Sequence, residues 1–184
     1  MAFPTTPAVL AVARDGTHRF SKVPTSAITL LEGLGVQGDA HAGVTVQHRS
    51  RVRQDPSQPN LRQVHLIHAE LFGEVARDGY HLRPADLGEN ITTRGVALLT
   101  LPRGTHLTFP SGAVVELTGL RNPCAQIDAF QPGLMRRLIG TDDAGQPVFR
   151  AGVMGVVRRG GPVTPGDEVS VTLPDGPHEA LRRV

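Results

Sequence analysis

The chemistry of this 184-residue chain centres on its one cysteine, Cys124, which ends the run Arg121-Asn122-Pro123-Cys124. Pro123 fixes one backbone dihedral and so helps to aim the side chain that follows it. A thiolate attacks electrophiles and ligates soft metals, and a guanidinium close by favours it. A lone cysteine is equally well a small buried hydrophobe, and spacing alone leaves both readings open. One cysteine does exclude an internal disulfide and a multi-cysteine zinc site.

Other candidates lie upstream. Asp39-Ala40-His41 sits in a glycine-rich stretch, 33–43. There the two side chains could hold a metal, orient a substrate or, as aspartates in such loops most often do, bond the local backbone. Asp86-Leu87-Gly88-Glu89-Asn90 places two carboxylates and an amide in a tight turn. An acid/base pair is conceivable there, with loop fixation by Asn90 the simpler role. His65 and His68 would face opposite sides of a strand, which argues against a shared ligand site. Arg62 and Arg121 flank strand-like segments and could clamp a phosphate if those segments open on the same side. Arg49, Arg51 and Arg53 read as solvated. Stretch 33–43 fits neither the dinucleotide nor the P-loop glycine spacing.

These residues need a scaffold, and the composition points to a β-rich one. Gly (21) and Pro (15) are abundant and aromatics make up only 4%, as expected of many turns and few long helices. Strands are expected over 8–13, 26–31, 63–67 (half-buried by its alternation), 114–118, 151–158 and 168–173. Several short strands fall between 91 and 117. A helix is expected over 69–77 and another, short one within 127–139, after Pro132. Residues 33–43 read as a shaped loop and 45–60 as an exposed one. No repeat or domain boundary emerges, and the length suits one domain, 1–184. The net charge of +2 is too small for general nucleic-acid binding. Residues 1–10 lack a secretory pattern and no apolar run approaches the roughly 20 residues needed to span a bilayer. No nucleic-acid or membrane partner is therefore expected, and the cytoplasm is the default location.

Taken in order, five blocks resemble the MOSC family, named for the C-terminal domain of molybdenum-cofactor sulfurase. They are Gly35-Val36-Gln37-Gly38-Asp39-Ala40-His41-Ala42-Gly43, Arg62-Gln63-Val64-His65-Leu66-Ile67, Leu87-Gly88-Glu89-Asn90-Ile91-Thr92, Leu117-Thr118-Gly119-Leu120-Arg121-Asn122-Pro123-Cys124, and a closing block from Gly152 through Gly160-Gly161 to Val169. The match spans about 30–173. The resemblance implies a mostly β fold, a MOSC-type β-barrel with a few short peripheral helices. It also implies binding of the molybdenum cofactor, a phosphorylated molybdopterin, or handling of sulfur for a metal centre. By that resemblance Cys124 would ligate molybdenum or carry a persulfide. Arg62, Arg121 and Asn122 would contact the cofactor, with Asp39, His41, Glu89 and Asn90 in matched blocks of undefined role. The activity implied is reduction of N-hydroxylated substrates, or sulfur transfer. Electrons would come from a redox donor and sulfur from a cysteine desulfurase. Two alternatives from the residues stay open: a non-catalytic sulfur carrier, and a barrel binding another anionic small molecule with a structural cysteine. Pyridoxal phosphate is not expected, because its Schiff base needs a lysine and the only one, Lys22, lies outside every matched block.

Overall fold

The computed structural model describes residues 6–184; residues 1–5, the start of the stretch read for a targeting signal, lie outside them. The β-rich expectation holds. The main sheet contains β1 (Ala8–Arg14), β2 (Val23–Thr25), β5 (Val64–His68), β6 (Ile91–Arg94), β7 (His106–Thr108), β8 (Val114–Leu120), β11 (Val153–Arg159) and β13 (Ser170–Thr172). A three-stranded sheet contains β3 (Ile28–Leu31), β4 (Gly35–Val36) and β12 (Gly161–Val163), and β9 (Ile139–Thr141) pairs with β10 (Pro147–Phe149). Four short helices accompany them: α1 (Arg49–Gln54), α2 (Glu70–Ala76), α3 (Ala125–Phe130) and α4 (Leu134–Arg137).

The expected closed barrel is not formed. The main sheet is open, ordered β13-β7-β8-β11-β5-β6-β1-β2. Its end strands are three residues each, β13 is wholly exposed, and Pro24 in β2 has no N–H to donate to a further ladder. One isolated bridge, Ala8 to Glu168, joins β1 to the segment entering β13. Beside it Val9 N–H donates to Asp167 O at 2.8 Å and Val169 N–H to Pro7 O at 2.9 Å. Pairing is antiparallel except between β5 and β6, where α2 makes the crossover.

Other expectations need correction too. Stretch 33–43 contains β4, paired with β3, rather than loop alone. Strand β5 is buried at all five positions, because it lies between β11 and β6 with a core on each face. Stretch 45–60 contains α1, and Val46 N–H to Gln58 O and Asn60 N–H to Val44 O close it into a strap. The helix expected after Pro132 is α4, which begins past Gly133 (φ +86°), and a further helix not expected from the sequence, α3, precedes it and ends at extended Gln131.

Two apolar clusters result. Val9, Leu30, Leu66, Leu107, Val115 and Val153 belong to the larger one, among the strands. Ile67, Leu71, Val75, Leu87, Ile127 and Leu134 belong to the smaller, which seats α2, α3 and α4 on the other face of β5. Strand β5 thus contributes Leu66 to one cluster and Ile67 to the other, as its period of two dictates.

Candidate functional site

A cavity of about 510 Å³ opens beside the middle of β5, a size that suits a small molecule. Its wall gathers residues far apart in sequence: His65 from β5, Arg121, Asn122 and Cys124 from the turn after β8, Asn90 ahead of β6, and Arg51 from α1. Arg19, Phe20, Lys22, His41, His48 and Arg62 also line it. Of the candidates drawn from the sequence, Cys124, Arg62, Arg121, Asn122, His41 and Asn90 meet here. Asp39 and Glu89 stand outside the wall.

Each wall residue has a local reason for its place. Arg121 leaves the end of β8 with its N–H donating to Gly152 O at 3.0 Å. Gly152 has φ +97°, and a Cβ there would stand 2.4 Å from Leu66 O and 2.7 Å from His65 Nε2, so only glycine lets this turn approach β5. Pro123 is buried, and Cys124, half-buried, takes extended backbone geometry (φ −134°, ψ 163°) as the residue that starts α3. The Cys124 thiol faces the cavity, 3.7 Å from Gln126 Oε1. Asn60 ties the strap to the start of β5. Its Nδ2 donates to His41 O and Gly43 O, and its Oδ1 accepts from Arg62 N–H.

Behind the wall lies a buried polar network. Lys22 Nζ and Asp39 Oδ2 are 2.7 Å apart with both side chains nearly inaccessible. Asn90 Nδ2 donates to Asp39 Oδ2 (3.0 Å) and to Ala13 O (3.1 Å), and His65 N–H donates to Asn90 Oδ1 (3.2 Å). Asp39 Oδ1 accepts from His41 N–H at 2.9 Å and faces His41 Nδ1 at 3.2 Å. Burial alone would raise the Asp39 carboxyl, but these His41 contacts and then the Lys22 charge outweigh it and hold the group well below the usual carboxylate range. Asp39 therefore fixes the loop and holds Lys22 and His41 in place, the structural role open to it in the sequence. Glu89 Oε1 accepts from Ala85 N–H (2.7 Å) and Thr92 Oγ1 (3.1 Å) while its Oε2 has no partner. Burial pushes its carboxyl up.

The electrostatics of the wall are one-sided. Five cations line it and no carboxylate does. Lys22 is neutralised by Asp39 and Arg19 lies 3.5 Å from Asp15. Arg51, Arg62 and Arg121 make no ion pair among the described residues. Arg121 is 8% exposed, packs its guanidinium 5.6 Å from the Phe20 ring, and has a buried Nη1 with no hydrogen-bond partner. Arg62 is pushed down to about 10 by burial, then by Arg51 and Arg121. His48 is pushed down to about 4 by burial and Arg62, and burial also holds His65 well below the ordinary range. Both imidazoles are therefore neutral at pH 7. An unpaired buried guanidinium beside further cations is costly unless an anion completes it.

Sequence reasoning did not single out Arg19, Phe20, Lys22 or His48 as wall residues. Lys22 lies outside the matched blocks, and only its contact with Asp39 reveals it. Arg51, expected in solvent, reaches the wall because α1 turns it inward. His65 contributes to the wall without His68. Among the described residues no three of His, Cys, Asp and Glu converge on a metal-binding arrangement, and no helix is long and apolar enough to cross a membrane.

Fold and site together define an open β-sheet protein with a cation-walled cavity that has the chain's one thiol in its wall. The MOSC domain model matches residues 41–170, and the chain belongs to that family. It is 29% identical over 154 residues to YuaD of Bacillus subtilis (strain 168), a match covering 74% of this chain and 76% of that one. YuaD is named among metal-sulfur cluster biosynthesis proteins. The crystal structure of YuaD superposes with a TM-score of 0.72 at 28% identity, over 90% of this chain and 95% of that one. YiiM from Escherichia coli shares the fold, with a TM-score of 0.61 at 16% identity over 94% of this chain and 73% of its own.

Proposed function

We propose that this MOSC protein binds a phosphorylated pterin cofactor of molybdenum in the Arg121 cavity, with Cys124 as its soft sulfur ligand. One observation carries the reading: Arg121 presents a buried, unpartnered Nη1 in a wall that has no carboxylate and contains the thiol. The donor set fits the group. Guanidinium forks suit phosphate, and a cysteine sulfur suits a soft metal. Arg121 and Arg62 would hold the phosphate, Asn122 would offer its amide to the polar edge of a pterin, and Cys124 would supply the sulfur ligand, while Asn90, whose amide is taken up by Ala13, Asp39 and His65, braces the wall. When bound, the cofactor supplies oxygen-atom removal from N-hydroxylated substrates, with electrons from a separate donor protein. The chain's own residues bind and orient. Neutral His65, whose Nε2–H donates to Ala151 O at 2.8 Å, adds no charge to the wall, and the strap carrying Arg51 and His48 limits access of water.

The test is molybdenum and phosphorus analysis of protein produced in a cofactor-competent host, beside Cys124→Ala. About one molybdenum per chain, lost in the variant while phosphorus-containing pterin is retained, is the expected result. Equal molybdenum in both proteins, or none in either, removes Cys124 as the ligand.

A second reading, a sulfur carrier, draws support from the half-buried thiol at an open cavity and from the naming of YuaD. In it the Cys124 thiolate attacks the outer sulfur of a desulfurase persulfide, the donor's S–S bond breaks, and the donor thiolate leaves. Incubation with a cysteine desulfurase and cysteine would then add the mass of one sulfur to Cys124. No mass gain under conditions that load other carriers rejects it.

A further inference from the structure

Three arginines in the wall of the Cys124 cavity, Arg51, Arg62 and Arg121, lie in no ion pair among the described residues. Arg121 is 8% exposed, and its buried Nη1 has no hydrogen-bond partner. Glu89, whose charge reaches Arg121 from behind the wall, is pushed toward its neutral form by burial. The Cys124 thiol shares the wall and lies within electrostatic reach of both Arg62 and Arg121. It is held only loosely, 3.7 Å from Gln126 Oε1.

A sulfur donor that meets this thiol must also answer the arginines. A persulfide on an uncharged carrier leaves the guanidiniums unpaired, and an unpaired buried cation is costly. Thiosulfate answers both. Its oxygens suit guanidinium forks, and its outer sulfur is open to attack by a thiolate. A thiolate and this dianion together carry three negative charges, matched by the three unpaired arginines. Those cations offset the repulsion between nucleophile and donor. So small a donor leaves room in a cavity of about 510 Å³ for an acceptor to enter.

We infer that Cys124 is the nucleophile of a thiosulfate sulfurtransferase step, with Arg121 and Arg62 binding the oxygen-bearing end of the donor. This rests on the sulfur-carrier reading and names the class of donor that loads it. The Cys124 thiolate, its proton already given to solvent, attacks the outer sulfur of thiosulfate. A bond forms between the two sulfurs, the S–S bond of thiosulfate breaks, and its electron pair leaves with sulfite. The cysteine sulfur is oxidised and the oxygen-bearing sulfur is reduced, so no outside oxidant is needed. The negative charge in the cavity is the same before and after. A second nucleophile, a thiolate or cyanide, then takes the outer sulfur and releases Cys124 as thiolate.

The test uses the full chain, first reduced and freed of reductant, then incubated with thiosulfate and followed by intact mass. Cys124→Ser, Arg121→Met and a remote control at an exposed position, Arg94→Met, are measured in parallel, and thermal melting confirms that each is folded. Alkylation by iodoacetamide, which is uncharged, reads the reactivity of the thiol without the donor's charge. The parent and Arg94→Met should gain one sulfur on Cys124 and yield thiocyanate when cyanide is added, and Cys124→Ser should do neither. Arg121→Met should load about tenfold more slowly or worse, as expected for loss of a charge-assisted hydrogen bond to the donor. Its iodoacetamide rate should change by less than about threefold. No sulfur gain in the parent, loading by Arg121→Met at the parent rate, or an equal fall with both reagents overturns the inference. Loading by a cysteine desulfurase but not by thiosulfate sinks only this inference. Failure with both donors sinks the carrier reading as well.

Discussion

Arg121 is where stability and binding pull in opposite directions. Its guanidinium is buried against Phe20 with Nη1 unpaired, so the ligand-free fold bears a desolvated charge. Replacing such a charge with an apolar side chain of similar length is commonly neutral or stabilising. Arg121→Met is therefore expected to leave the unfolding free energy unchanged or raise it by roughly 1–2 kcal/mol, while phosphate affinity drops at least tenfold. Denaturant unfolding and calorimetry on the same protein check both halves. Glu89 gives a pH signature. Its folded-state carboxyl is raised by burial, so the folded protein holds the proton that the unfolded chain releases near pH 4. Stability contributed by the protonated group is complete below that pH and is lost as pH rises through the folded value. Glu89→Gln keeps the oxygen that accepts from Ala85 and does not titrate. Its melting temperature relative to the parent should climb as pH rises above about 4. A difference that stays flat from pH 4 to 8 would contradict a carboxyl raised by burial.

At the scale of elements, the turn from β10 to β11 is the most constrained joint of the site. Gly152→Ala combines a positive φ with contacts to Leu66 O and His65, so it should cost about 3 kcal/mol. Gly145→Ala, also at positive φ but with open space around it, should cost only about 1–2 kcal/mol. Equal losses in chemical denaturation would mean that packing at Gly152 is not limiting. Local elements of this kind were largely legible beforehand. The apolar run in β1, the β-branched run that opens β8 and the left-handed Gly79 after α2 (φ +87°) are written in neighbouring residues. Strand β5 misled because its two buried faces come from β-sheet neighbours and helices far away in sequence. Helix α1 contains no buried residue, so no apolar period announces it, and the inward turn of Arg51 could not be read from its spacing.

At the scale of the molecule, legibility depended on separation along the chain. Cys124 and Arg121 lie three residues apart and could be read together. Lys22 and Asp39 form their pair across 17 positions, and His65 meets Ala151 O across 86. Those contacts exist only once the sheet is ordered. The open order β13-β7-β8-β11-β5-β6-β1-β2 replaces the closed barrel for a similar reason, since closure is decided by the end strands rather than by the content of any one strand. Three surroundings converge on the cavity: the end of β8, the middle of β5 and the strap with α1. An anion held by Arg121, in the cavity wall that also contains Cys124, would disfavour the thiolate form of that cysteine. The rate of Cys124 alkylation, followed by mass spectrometry with and without saturating phosphate, tests this. Phosphate is expected to slow alkylation at least fivefold in the parent protein and to have no effect in Arg121→Met. An unchanged rate in the parent, or equal protection in the variant, would contradict it.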